Sequence, residues 1–304
     1  MTDGDAAADA VHSDYTGPGA RPRSRERIAT ARMMRPRAWS WACAAACCSL
    51  LASSALAVPG AESPAVAPAA AVAPAAVAAP APAPGAAIAP FSGMVAGGST
   101  APWDRVSLSS RKRPTRYDLV DDAGTVVLHA DADNAASVLA VATDIDVRAT
   151  PIVTWRWKVA ELIADADPRL AAREDSPARL VLEFDGDRSK LPLLQRGIYE
   201  LSQRLAGREL PYATLIYFWA NHGPVGTVIA SPRTRRVQMV VASSGGRDVG
   251  TWQTLSRDVV ADFRRAFGEE PGKLSAVGVF TDTDNTGGHA EAWYGDVRFR
   301  RAQR

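Results

Sequence analysis

Val153-Thr-Trp-Arg-Trp-Lys-Val159 alternates without a break: Val153, Trp155, Trp157 and Val159 fall on one side of an extended chain, and Thr154, Arg156 and Lys158 on the other. A period of two is the mark of a strand with one face in a core. Residues 179–185 repeat it, with Leu180, Leu182 and Phe184 set against Arg179, Val181, Glu183 and Asp185. Outward from these two segments, residues 116–120, 125–130, 137–147, 214–220, 225–230, 236–242, 274–281 and 291–300 are further strand candidates. The runs Asp121-Asp-Ala-Gly124 and Asp131-Ala-Asp-Asn134 read as turns between them. Two helices interrupt the pattern. Leu191, Leu194, Ile198, Leu201 and Leu205 recur at three and four and stop at Gly207, while Val259, Phe263, Ala266 and Phe267 mark a shorter helix stopped by Gly268 and Pro271. Many strands and few helices predict a mainly β fold, an antiparallel jelly-roll-like β-sandwich with two short helices. Strand-helix alternation of a doubly wound sheet and a Gly-rich phosphate loop are both missing from the sequence.

The β pattern starts near Trp103, which divides the chain into an export signal region at 1–57, an Ala/Pro-rich disordered linker at 58–102 and a β-sandwich domain at 103–304. Residues 21–37 are arginine-rich and lead into an apolar run at 38–58 that ends in the small-x-small processing site Ala55-Leu-Ala57. Met33 or Met34 are alternative starts, since the lead-in is long for a signal peptide. Export to the periplasm or beyond is the expectation, and the only route to a membrane is an uncleaved signal segment. The linker is almost entirely Ala, Pro and Val, a composition that favours extended polyproline geometry and a semi-stiff spacer. Residues 1–57 hold seven arginines against five acids, so the +2 charge of the whole chain arises there and the remainder carries 28 bases and 28 acids. That balance argues against nucleic acid as a partner. All three cysteines, Cys43, Cys47 and Cys48, lie in the apolar run, so the domain has neither a disulfide framework nor a thiol nucleophile.

Chemistry gathers in Phe280-Thr-Asp-Thr-Asp-Asn-Thr-Gly287, where Asp282, Asp284 and Asn285 meet at a reversal. Three readings stay open: a turn stabilised by its own side chains, a calcium site with Asp282 and Asp284 as ligands, and direct ligand contact. The full helix-loop-helix calcium motif is absent, because Thr286 stands at its fifth position and Trp293 at its closing one. Trp155, Trp157 and Trp293 read as core, whereas Trp219, at a strand end before Asn221-His-Gly-Pro224, is a candidate contact residue. Arg156, Lys158, Arg179 and Glu183 point away from the core, toward either a solvated sheet face or a groove suited to a carboxylate-bearing ligand. The candidate ligand-binding set is Arg156, Asp175, Trp219, Asp282, Asp284 and Asn285. His129, His222 and His289 follow no metal-ligand spacing, and Ser243-Ser-Gly-Gly246 is no nucleophile elbow.

Trp155-Arg-Trp-Lys, Pro177-Ala-Arg, Leu210-Pro-Tyr, Tyr217-Phe-Trp-Ala with Gly223-Pro-Val-Gly226, Phe267-Gly-Glu, Thr281-Asp-Thr-Asp-Asn-Thr-Gly287 and Tyr294-Gly-Asp296 together resemble a bacterial family known as domain of unknown function 3047. The resemblance spans roughly 103–299 and implies an exported bacterial domain without an established activity. The chain departs from the family pattern at Glu174-Asp175, where the family has two aspartates, and at Thr254-Leu255, where an acid precedes the arginine matching Arg257. The sequence therefore leads to an exported binding module, with carbohydrate as the foremost ligand. Two alternatives remain: a polysaccharide-cleaving enzyme drawing carboxylates from Asp175, Glu183, Asp282 and Asp284, and a structural envelope protein.

Overall fold

A computed structural model of the chain describes residues 88–108, 111–193, 196–197 and 210–303. The signal region, most of the Ala/Pro stretch and most of the helix expected at 191–205 lie outside the described residues. Among the described residues thirteen strands follow in order: β1 (Asp104–Ser107), β2 (Arg116–Asp122), β3 (Thr125–Asp133), β4 (Ala136–Ile145), β5 (Ile152–Val159), β6 (Ser176–Phe184), β7 (Ala213–Ala220), β8 (Val228–Ala230), β9 (Val237–Ser244), β10 (Gln253–Asp258), β11 (Leu274–Asp282), β12 (His289–Tyr294) and β13 (Arg298–Arg300). One α-helix, α1 (Val259–Phe267), separates β10 from β11.

The strands form two sheets, one of seven in the order β1-β4-β11-β6-β7-β9-β8 and one of six strands. The six-stranded sheet runs β10-β5-β12-β3-β2, with β13 also on β5. The result is a mainly β, jelly-roll-like sandwich. Its pairs are antiparallel except β7 with β9, which run parallel and so require the excursion through β8 between them. The alternation of β5 sends Val153, Trp155, Trp157 and Val159 inward, against Leu180, Leu182 and Phe184 of β6 and Tyr217 and Trp219 of β7. Trp155 meets Trp157 edge-on at 5.4 Å and Tyr217 at 5.1 Å. Every residue of β6, β7 and β11 is buried. These central strands are covered on both faces, which explains their near-continuous apolar composition. On the outer face of the seven-stranded sheet Val138, Val181, Ile216, Met239 and Phe280 make a second apolar cluster.

Several expectations need correction. The packed domain begins before Trp103: Ile88 and Phe91 sit in the core, Phe91 lies 4.7 Å from the Trp103 ring, and Ser92 donates from both its N–H and its hydroxyl to Asp296. The run 131–134 is a turn only at Asn134, whose φ is 46°. Asp131 to Asp133 extend β3, where Asp131 takes ion pairs from Arg116 and His289. Residues 291–300 are two strands, broken at Gly295 to Val297. Both β1 and β10 escape the sequence pattern because they are edge strands with mostly polar side chains.

Candidate functional site

Asp282 ends β11, flanked by Ala136 of β4 and Ser176 at the start of β6. Asp175 precedes Ser176, so two adjacent antiparallel strands bring the end of one and the start of the other to one place. The chain then reverses over Thr283–Gly287, closed by the Gly287 N–H donating to the Thr283 carbonyl at 2.9 Å, with Gly287 at φ 72°. That left-handed conformation suits glycine.

Asp175 is 3 % exposed and holds the reversal together. One carboxylate oxygen accepts from the backbone N–H and side-chain amide of Asn285, at 3.2 and 2.8 Å. The other accepts from the backbone N–H and hydroxyl of Thr286, both at 2.7 Å. Asp282, 2 % exposed, accepts from Ser176 N–H at 3.1 Å and faces Arg179 at 3.2 Å. Asp284 pairs with Lys112 through one oxygen, while its other oxygen is buried without a partner among the described residues. Each of the three aspartates offers an oxygen, all within 4.8 Å of one another, so they could hold a metal ion. Burial drives the Asp282 carboxyl well above the usual aspartate range, Arg179 opposes the shift, and Asp175 and Asp284 add to it.

Arg179 is 5 % exposed; its guanidinium donates to the Glu174 carbonyl and lies 4.9 Å from the Phe280 ring. Its Nε is buried without a partner among the described residues. Arg233 closes the rim, pairing with Glu174 at 2.6 Å and donating to the Ala171 carbonyl at 2.6 Å and to Asn285 Oδ1 at 3.3 Å. Below this polar end lies a cleft floored by the outer apolar cluster of the seven-stranded sheet and reaching Glu183.

Asp175, Asp282, Asp284 and Asn285 therefore converge, and the structure adds Glu174, Arg179, Arg233 and Lys112. The face bearing Arg179 and Glu183 is the buried floor and wall of this cleft rather than a solvated sheet face. Arg233 and Lys112 were hidden in loop segments, and their only signal was charge opposite to the acidic turn. Trp219 is not a contact residue: it is 1 % exposed, donates its indole N–H to the Gly245 carbonyl at 3.1 Å and packs near Trp157 at 6.2 Å. Its phase matches Leu215 and Tyr217, which face the other sheet. Trp293 departs from the core reading, because Ala290, Ala292 and Tyr294 take the inward phase of β12 and leave Trp293 half-buried outside. Arg156 lies on the outer face of the six-stranded sheet, with the core between it and the cleft.

No curated protein matches the chain. Among solved structures, the chain has weak likeness to the family 30 carbohydrate-binding module of a cellulosomal cellulase of Clostridium thermocellum. The two share 9 % identity at a TM-score of 0.33, over 71 % of this chain and 95 % of the other. The xyloglucanase domain of NopAA, a type three effector from Sinorhizobium fredii in complex with cellobiose, shares 8 % identity at a TM-score of 0.34, over 67 % of this chain and 100 % of the other. The cellulose induced protein Cip1 shares 12 % identity at 0.28, over 66 % and 91 %. The family model described as protein of unknown function (DUF3047) matches residues 101–298, and the motifs from Trp155 to Asp296 fall inside that span: the chain belongs to this family.

Proposed function

We propose that the chain is an exported binding module that takes a polyhydroxylated ligand, foremost a carbohydrate, in the cleft of the seven-stranded sheet. The observation that carries this reading is the pairing of an apolar floor with a polar end whose acids and bases fix one another. Val138, Val181, Ile216 and Met239 suit the C–H face of a sugar ring, and the clamped side chains of Asp284, Arg179, Arg233 and Asn285 suit its hydroxyls. Asp284 Oδ1 and Arg179 Nε lack partners among the described residues, and a hydroxyl group accepts from one kind of atom while donating to the other. Because Asp175 and Glu174 already hold the rim in place, ligand binding need not order these side chains, which limits its entropic cost. The arginine-rich lead, apolar run and Ala/Pro stretch support an exported domain held at a distance from its processing site.

The test is a calorimetric screen of neutral oligosaccharides against the full-length chain, repeated with Asp284→Asn. Loss of about tenfold or more in affinity, the effect of removing a charge-assisted hydrogen bond, is the expected result. Saccharides that bind the variant and the parent alike would remove the cleft from the reading. A second reading, a polysaccharide-cleaving enzyme, is favoured by Asp282, a carboxyl kept above its usual range beside a second acid in a cleft. It predicts that Asp282→Asn abolishes release of reducing ends while leaving oligosaccharide affinity in place.

A further inference from the structure

The outer face of the six-stranded sheet carries side chains in register across four strands. Lys158 of β5 stands opposite Trp293 of β12, Trp293 opposite His129 of β3, and His129 opposite Asp118 of β2. The Trp293 and His129 rings stack at 4.8 Å. The Lys158 ammonium lies 4.6 Å from the Trp293 ring and 5.2 Å from that of Trp252, just ahead of β10. Asp122 fixes both neighbours, accepting from the Trp252 indole N–H at 2.5 Å and from Lys158 at 3.3 Å.

Arg156, one step along the same face of β5, is built differently. Its guanidinium carbon sits 4.4 Å from the centre of the Trp252 ring. Its aliphatic stem lies flat on Gly295, where a Cβ would come within 2.4 Å of the Arg156 Cγ, so the missing side chain at 295 is what admits this pose. Lys158 has a carboxylate; Arg156 has none among the described residues, and its register neighbour on β10 is the neutral Thr254. A guanidinium held by its face against an indole keeps its edge, and the two parallel N–H bonds that edge can donate, for a planar anion.

We propose that this face is a second binding site, for a carboxylate-bearing saccharide such as an oligosaccharide that carries a uronic acid. Arg156 grips the sugar carboxylate through its edge, and sugar rings rest against the parts of Trp252 and Trp293 that Arg156, Lys158 and His129 leave exposed. The strands that carry or adjoin these two indoles flank β5, so they stand two strand spacings apart, about 9–10 Å, a span of two sugar units along a chain. A phosphate polymer fits less well. Asp118, Asp122 and Glu291 share this face and the chain after residue 57 has no basic surplus, which suits one carboxylate at Arg156 rather than a ligand charged at every unit.

The experiment is a tryptophan-fluorescence titration of the full-length chain with a tetrasaccharide that carries one uronic acid, its neutral counterpart and a short single-stranded DNA. The acidic tetrasaccharide should bind at least tenfold tighter than the neutral one, and Arg156→Lys should lose about tenfold, because the fork of two charge-assisted bonds becomes a point charge. Thr254→Asp, at an exposed strand position, sets a carboxylate opposite Arg156 and should abolish binding while the unfolding midpoint stays within a few degrees of the parent. Equal binding of acidic and neutral tetrasaccharides, undiminished binding by Thr254→Asp, or DNA binding as tight as the acidic sugar would each overturn the proposal.

Discussion

Asp282 and Asp175 stand on neighbouring strands and do opposite work. Asp175 spends both oxygens on four donors of the reversal, and Asp175→Ala should cost on the order of 3 kcal/mol, the scale of losing hydrogen bonds to a buried charge. Chemical denaturation would measure that loss; a cost under half of it would mean that the turn holds without its clamp. Asp282 has a folded-state carboxyl raised by burial, so between the unfolded value near 3.8 and the raised one the folded chain binds more protons than the unfolded chain. Its contribution is therefore fully present below pH 3.8 and is lost as pH climbs through the folded-state value, with a slope approaching about 1.4 kcal/mol per pH unit for one proton. In Asp282→Asn that component should vanish. Denaturation curves across the acid and neutral range, with a chelator present, would show parent and variant converging at low pH and separating above it; parallel curves would place the proton elsewhere. The acidic turn was legible in the sequence as Asp282, Asp284 and Asn285, because three polar side chains in four residues at a glycine-closed reversal announce themselves. Asp175 was legible only as one of an acidic segment, since nothing local shows that its four donors lie on the far side of a strand pairing.

Helix α1 shows what can be read at the level of an element. Val259 and Phe263 on one face and Gly268 after the last turn specify it, and the structure places both residues in the core and Gly268 in the left-handed region at φ 71°. Its anchor is less visible. Asp262 is 3 % exposed and accepts from the Tyr217 hydroxyl at 2.9 Å, from Arg257 at 2.8 and 2.7 Å and from Arg265 at 2.6 Å. One buried carboxylate thus ties the helix to β7 and to the end of β10. Removing it strands a half-buried guanidinium and a buried phenol, so Asp262→Ala should cost about 3–5 kcal/mol. Asp258→Ala removes the N-cap bond to Ala261, at 2.9 Å, and should cost about 1 kcal/mol. If both variants unfold at the same denaturant concentration, the cap and not the buried acid secures the helix. The partners of Asp262 lie 45 positions or fewer from it in sequence, yet no periodicity relates them, because the contact arises from packing between layers.

Across the whole molecule, alternation reveals the phase of a strand without naming its sheet. Arg156 and Arg179 both read as pointing away from the core, and both do, but β5 and β6 belong to different sheets, so the two guanidinium groups end on opposite sides of the sandwich. One joins the cleft and the other makes the cation and indole face. The same ambiguity misassigned Trp293, because in-phase neighbours decide burial only when the covering layer is known, whereas Trp219 was misassigned by the loop signal that follows it. Sandwich stability also offers the test of whether a cation belongs in the cleft. Asp175, Asp282 and Asp284 can present oxygens to calcium, but Lys112 already meets Asp284 and Arg179 meets Asp282, so an ion must displace the lysine to complete its ligands. An ion that binds the folded chain raises its midpoint by mass action, about 2.7 kcal/mol at a hundredfold excess over the dissociation constant. For a domain of this size each kcal/mol corresponds to roughly 2–4 °C. Millimolar calcium should therefore shift Lys112→Ala upward by several degrees more than the parent, and Asp284→Asn should show no shift. Thermal unfolding of the full-length chain in calcium and in chelator would resolve these cases. Identical midpoints in all three proteins would leave the aspartates to Arg179, Lys112 and the reversal itself, and the hydroxyl groups of a ligand would then be the remaining partners for the free Asp284 oxygen.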